Sequence, residues 1–333
     1  MPELRVIDVH AHILTEDMIA VLNREAPKYR LKLREIDGDF ATLDVGAISY
    51  PKFPRGGWDL ERRFRDMESA KFDQQVLSVL PQSVAYEEEP ALALAVSQIQ
   101  NEAISGLVKQ HPDRFLGLGT VPLQSPEASV TELRRCVDEL GLRGVMIGSN
   151  VNGRNFDDPG LEPVWAAAAA LGAFIFIHPT TTAAADRLKD YYLRNFIGNP
   201  LDTTIAAACL LFAGVLERHP DIKIFLSHGG GFLPYQEARF LHGWGEREES
   251  KKHLKVSPAA SLGRFLYDTI LHARKPLEFL IGSAGADRVL LGSDYPYDMG
   301  QYDSVDLISS LSIGEAEKAK ILGGNARRLL GIA

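Results

Sequence analysis

Arg5-Val6-Ile7-Asp8-Val9-His10-Ala11-His12 is a short apolar run that ends in two histidines, and it reads as a buried parallel strand. An open dinucleotide-binding sheet would need a glycine-rich phosphate loop after its first strand. Here that position holds Val9-His10-Ala11-His12, with no glycine. Seven similar runs follow at residues 75–80, 115–121, 144–148, 173–178, 222–228, 265–269 and 288–294, and helical patterns at 61–71, 92–109, 126–139, 163–170, 203–217 and 313–330 fill the intervals. Ser125 and Pro126 mark one helix start, as N-cap and first helical residue. Eight strands alternating with helices predict an α/β fold, a closed (β/α)8 TIM barrel forming one domain over residues 1–333. From about Asn23 to Trp58, charges together with Pro51, Pro54, Gly56 and Gly57 interrupt any period. This stretch reads as a long loop insertion after the first strand, over the active-site mouth.

The 333 residues are 45% hydrophobic and 24% charged, enough for a sizeable core. A formal charge of −8 argues against nucleic acid as partner, because phosphate binding needs clustered Lys and Arg. The one basic knot, Lys251-Lys252-His253 with Lys255, reads as a solvated face. Two cysteines, Cys136 and Cys209, make no disulfide framework, which fits a reducing cytoplasm. Met1-Pro2-Glu3-Leu4 runs straight into the first strand without a signal-peptide pattern, and no apolar run is long enough to span a membrane. The expectation is a cytoplasmic protein with neither a membrane nor a nucleic-acid partner.

His10 and His12, two residues apart on a strand, point to the same side. The fifth run ends Ile177-His178-Pro179, the sixth Ser227-His228-Gly229-Gly230-Gly231, and the eighth Gly292-Ser293-Asp294-Tyr295-Pro296. In a parallel barrel all these strand ends converge on the mouth where active sites lie, so four histidines and a carboxylate meet there. His111 and His219, each in His-Pro-Asp before a strand, fall at the opposite mouth; His272 is a lesser candidate. Imidazoles with a carboxylate suit one Zn²⁺ or a similar divalent ion with an open coordination position. A second ion would want a carboxylate or modified lysine after the fourth strand, which offers Gly148-Ser149-Asn150. Four ligands for one metal leave one histidine as general acid or base.

These motifs, with the segments Arg114–Gln124 and Pro200–Ala206, resemble the amidohydrolase superfamily, and more narrowly its aminocarboxymuconate-semialdehyde-decarboxylase branch. The resemblance covers nearly the whole chain. It implies zinc held by His10, His12, His178 and Asp294, with His228 activating the metal-bound water. In that branch hydroxide adds to the unsaturated substrate beside its carboxylate, and carbon dioxide leaves as the adduct collapses. Arg239 matches a family arginine that reaches a neighbouring subunit's substrate, which implies a homodimer or larger oligomer.

Two departures concern the substrate. A second family arginine falls on Pro51, seven residues before Trp58, with Lys52 or Arg55 as possible replacements. A family tryptophan falls near Asn195, implying a more polar pocket, and Arg194 is an alternative anion partner. The reading is therefore a metal-dependent, non-oxidative decarboxylase of a small unsaturated or aromatic carboxylic acid. The alternatives are a hydrolase of a lactone, amide or ester using the same hydroxide, and a barrel that only binds a ligand.

Overall fold

The computed structural model describes residues 5–46 and 48–332; residues 1–4, on which the signal-peptide reading partly rests, lie outside the described residues. Eleven strands occur among the described residues, in three sheets. These are β1 (Ile7–His12), β2 (Leu31–Asp37), β3 (Phe40–Val45), β4 (Ile48–Pro54), β5 (Gln74–Ser78), β6 (Phe115–Gly117), β7 (Gly144–Ile147), β8 (Phe174–Ile177), β9 (Lys223–Leu226), β10 (Leu266–Asp268) and β11 (Val289–Leu290).

Eight of them run parallel, in the orders β1-β5-β6 and β7-β8-β9-β10-β11. Two seams join these sheets into a ring. Gly119 N–H donates to Gly144 O at 2.9 Å and Met146 N–H to Gly119 O at 2.8 Å, which link β6 to β7. Val9 N–H donates to Leu291 O at 2.9 Å and His12 N–H to the carbonyl of Tyr295 at 2.7 Å, which link β1 to β11 and the loop after it. The closed (β/α)8 TIM barrel is thereby realised. Its strands are rich in Val, Ile, Leu and Phe because ring residues are buried on both faces. Phe174, Phe176 and Phe225 fill the interior, with ring centroids 5.0 Å apart for Phe176 and Phe225.

Residues 23–58 are not a loop. The Glu16–Glu25 helix, capped by Thr15 Oγ1 accepting from Met18 N–H at 3.2 Å, runs into a three-stranded antiparallel sheet, β2-β3-β4. Leu31 and Leu33 alternate with Lys32 and Arg34 along β2, the pattern of a sheet with one covered face. Gly38-Asp39 makes the turn into β3, with Gly38 at φ +55°, a conformation that favours glycine. Ser125 occupies the N-cap position before the Pro126–Arg134 helix as expected, but its hydroxyl makes no capping bond.

Arg63, on the Leu60–Ser69 helix, is fully buried beneath this region. It donates to the carbonyls of Gly56 and His12 and to Gln75 Oε1, and lies 4.6 Å from the Tyr295 ring centroid. The cation is thus satisfied by neutral acceptors and an aromatic face. Among the described residues no helix is long and apolar enough to cross a membrane.

Gly144 begins β7 at φ +150°, and a Cβ there would lie 2.0 Å from Phe174 O. Gly144→Ala forces β7 from β8 and is expected to cost about 1–3 kcal/mol. Thermal unfolding of the two proteins checks this: a lowered midpoint is expected, and an unchanged one would contradict the packing.

Candidate metal centre

β1, β8 and the turns after β9 and β11 bring His10, His12, His178, His228 and Asp294 to the C-terminal mouth of the barrel. One ligand atom from each of His10, His12, His178 and Asp294 lies within 4.8 Å of the others, and all four residues are buried. His10 Nε2 is 3.0 Å from His12 Nε2 and 3.2 Å from Asp294 Oδ1. Asp294 Oδ1 lies 3.3 Å from His12 Nε2 and 3.8 Å from His178 Nε2. Donor atoms about 2.0–2.1 Å from a tetrahedral ion stand roughly 3.3 Å apart, so this spacing suits a divalent metal.

The outer nitrogens explain the orientation. His10 Nδ1 bonds Asp268 Oδ2 at 2.7 Å, His12 Nδ1 bonds Val79 O at 2.9 Å, and His178 Nδ1 bonds Pro179 O at 2.9 Å. A neutral imidazole that donates from Nδ1 presents a lone pair at Nε2, which is how metal-ligating histidines are held. His178 Nε2 and Asp294 Oδ1 are buried without a hydrogen-bond partner among the described residues. Buried polar atoms left in that state are costly, and a cation satisfies both.

His228 differs. Its Nε2 is 3.5 Å from Asp294 Oδ2, the other carboxylate oxygen, while its Nδ1 has no hydrogen-bond partner among the described residues. It sits at φ +53° and opens a turn whose three glycines all have positive φ. A Cβ on Gly231 would lie 2.1 Å from Pro200 O, so the turn packs too closely for a side chain.

Burial lowers His178 and His12 below the ordinary imidazole range. Burial also opposes charge on His10, but the Asp294 and Asp268 carboxylates overcome it and raise His10. Asp294 is held well below the carboxylate range: burial works against its charge, and the His10 charge and the imidazoles gathered around it prevail.

Two carboxylates that set this geometry were not singled out from the sequence. Asp8, fully buried, accepts from Ser293 N–H and Oγ–H at 3.0 and 2.6 Å, from Gln75 Nε2 at 2.9 Å and from His10 N–H at 3.1 Å. Burial pushes its carboxyl up to about 6 against those bonds. Asp268 bonds His10 Nδ1 and accepts from the backbone N–H of His228 at 2.7 Å and Gly229 at 2.6 Å. It ends β10, so the strand-end rule that singled out the histidines would also have found it.

A cavity of about 300 Å³ lies against His178, His228 and Asp294. Its walls include Ser49 and Tyr50 of β4, Gln82, Tyr297, and both Arg194 and Asn195. Tyr297 packs 5.6 Å from the His12 ring centroid and its hydroxyl donates to Gln82 Oε1 at 2.5 Å. Arg239 is exposed on the Leu233–Glu246 helix, outside the cavity wall, and His272 is likewise outside it. His111 and His219 end helices away from the cluster, His219 bonding Glu162 at 2.8 Å.

The chain is 35% identical over 328 residues to 2-amino-3-carboxymuconate-6-semialdehyde decarboxylase of Dictyostelium discoideum, covering 98% of this chain and 91% of that protein. The crystal structure of 5-carboxyvanillate decarboxylase from Sphingomonas paucimobilis is similar with a TM-score of 0.83 at 25% identity, over 99% of this chain and 100% of that one. A dihydroxybenzoic acid decarboxylase from Polaromonas, solved with manganese and the inhibitor 2-nitroresorcinol, gives a TM-score of 0.82 at 25% identity, over 98% of this chain and 97% of that one. The model of the amidohydrolase family matches residues 7–332, and the chain belongs to that family.

Proposed function

We propose that this protein is a metal-dependent, non-oxidative decarboxylase of a small unsaturated or aromatic carboxylic acid. One observation carries the metal assignment: three imidazoles commit Nδ1 to an oxygen and turn Nε2 toward a single carboxylate oxygen. The reaction class draws support from the decarboxylases to which the chain is similar.

In this reading His10, His12, His178 and Asp294 hold one divalent ion, which supplies Lewis acidity toward a substrate oxygen. Zinc is proposed because imidazoles and a carboxylate form a borderline donor set; manganese in the Polaromonas structure is the competing assignment. Decarboxylation breaks a carbon–carbon bond, leaves the electron pair on the substrate carbon and requires a proton there. His228 borders the cavity with its Nε2 near Asp294, its Nδ1 uncommitted and its ring less enclosed than the three ligands, so it is assigned that proton transfer. Asn195 and Arg194 contact the substrate, and the β2-β3-β4 sheet covers the mouth of a single catalytic domain through Ser49 and Tyr50. A homo-oligomer, at least a dimer, delivers Arg239 to a neighbouring site. Supporting this, Tyr235 stands one helical turn from Arg239 and is 78% exposed, and exposed aromatics favour interfaces.

Elemental analysis of the purified protein is expected to give one tightly bound divalent ion per chain, zinc by this reading, and His178→Ala is expected to lose metal and activity together. Two ions per chain, or activity without metal, would contradict the assignment.

His228→Ala is expected to keep its metal while turnover of carboxylic acids falls by about 10²–10⁴, the scale of a lost general acid or base. Metal content and rate measured on one sample decide it, and loss of the ion would make His228 a ligand.

Mixing inactive His228→Ala chains with inactive Arg239→Ala chains under subunit exchange is expected to restore activity partly, because a mixed dimer then holds one intact site. No recovery with exchange verified would exclude the shared site.

A further inference from the structure

Arg194 is the one lysine or arginine in the wall of the metal-site cavity. Arg194 is exposed, and among the described residues its guanidinium has neither an ion pair nor a side-chain hydrogen bond, a state it shares with Arg65 and Arg143, which lie outside that wall. Of the three other candidates for an anion partner, Arg239 lies outside the wall of this cavity, and Arg55 and Lys52 are engaged or remote. Arg55 is bound to Asp59 at 2.6 Å and faces different cavities, and Lys52 lies on β4 outside the wall.

The segment presenting Arg194 is unusual. Tyr191 and Tyr192 both hold positive φ, +57° and +60°, and Arg194 begins a single π-helical turn, Arg194–Gly198, before the Asn199–Phe212 helix. Non-glycine residues in left-handed conformation and isolated π turns both gather at functional sites. The segment is tied down nearby, where Ala183 N–H donates to Asp202 Oδ1 at 3.1 Å.

We infer that Arg194 grips the substrate's carboxylate from within the same chain that supplies the metal ligands. An arginine fork matches a carboxylate with two parallel hydrogen bonds, and an unpaired guanidinium spends no existing bond to make them. Arg239 from a second subunit then adds a contact to a substrate already held. The inference rests on the decarboxylase reading for the carboxylic acid nature of the ligand.

The test uses metal-loaded enzyme with salicylate and its neutral analogue 2-hydroxybenzyl alcohol, binding being read by calorimetry and carbon dioxide release separately. Arg194→Met is expected to weaken salicylate about tenfold or more, as for loss of a hydrogen bond to a charged group, and to leave the alcohol within about twofold. Arg194→Lys, which keeps the charge and loses the fork, is expected to fall between. Equal losses for both ligands, no loss of salicylate, or no salicylate binding by the unaltered enzyme would overturn the assignment. Mixing His228→Ala with Arg194→Met chains is expected to give no recovery, and recovery would overturn the same-chain claim. Arg194-dependent salicylate binding without carbon dioxide release from any acid tried would count against the decarboxylase reading alone. Release that ignores Arg194 would count against Arg194 alone.

Discussion

The Asp8 carboxylate holds the first and last barrel strands together, and the site depends on that closure. Four donors from β1, β5 and the turn after β11 converge on it. Burying a carboxylate is unfavourable, which is why its proton affinity rises, and four hydrogen bonds offset the loss of water. What the closure secures is register. Asp294 N–H donates to His10 O at 2.9 Å, so the carboxylate from the end of the chain meets the two histidines from its beginning. A slip by one residue at this seam would turn His10 and His12 to the other face.

Asp268 makes the second division of labour. One oxygen orients His10 and both support the turn that carries His228. His10 and the turn that carries His228 therefore share one anchor, while the two histidines differ in what their Nδ1 atoms touch. That difference separates a proposed ligand from a proposed acid or base among chemically identical side chains. Neighbours set it, and the residue type does not.

The barrel was legible because its strands are short apolar runs and its metal-site residues sit where those runs end, a placement that topology alone converts into a cluster. The segment at 23–58 departs from the loop expectation because its charges and prolines hide a sheet with only one covered face. Leu31 and Leu33 alternating with Lys32 and Arg34, followed by Gly38-Asp39, carried the hairpin signal. Asp8 and Asp268 were within the quoted strands, but their role lies in bonds to residues more than 200 positions away, Ser293 and His10 respectively. Arg63 is similar: its buried charge is explained only by carbonyls and a ring that folding brings near. Spacing along the chain does not encode such long-range partners.

Anomalous diffraction at the metal absorption edge, on crystals of the protein as purified, tests the central claim most directly. The account predicts one peak per chain within bonding distance of Nε2 of His10, His12 and His178 and of Asp294 Oδ1, with His228 outside bonding distance. A second peak at this mouth, or a peak bonded to His228 in place of one of those ligands, would contradict it.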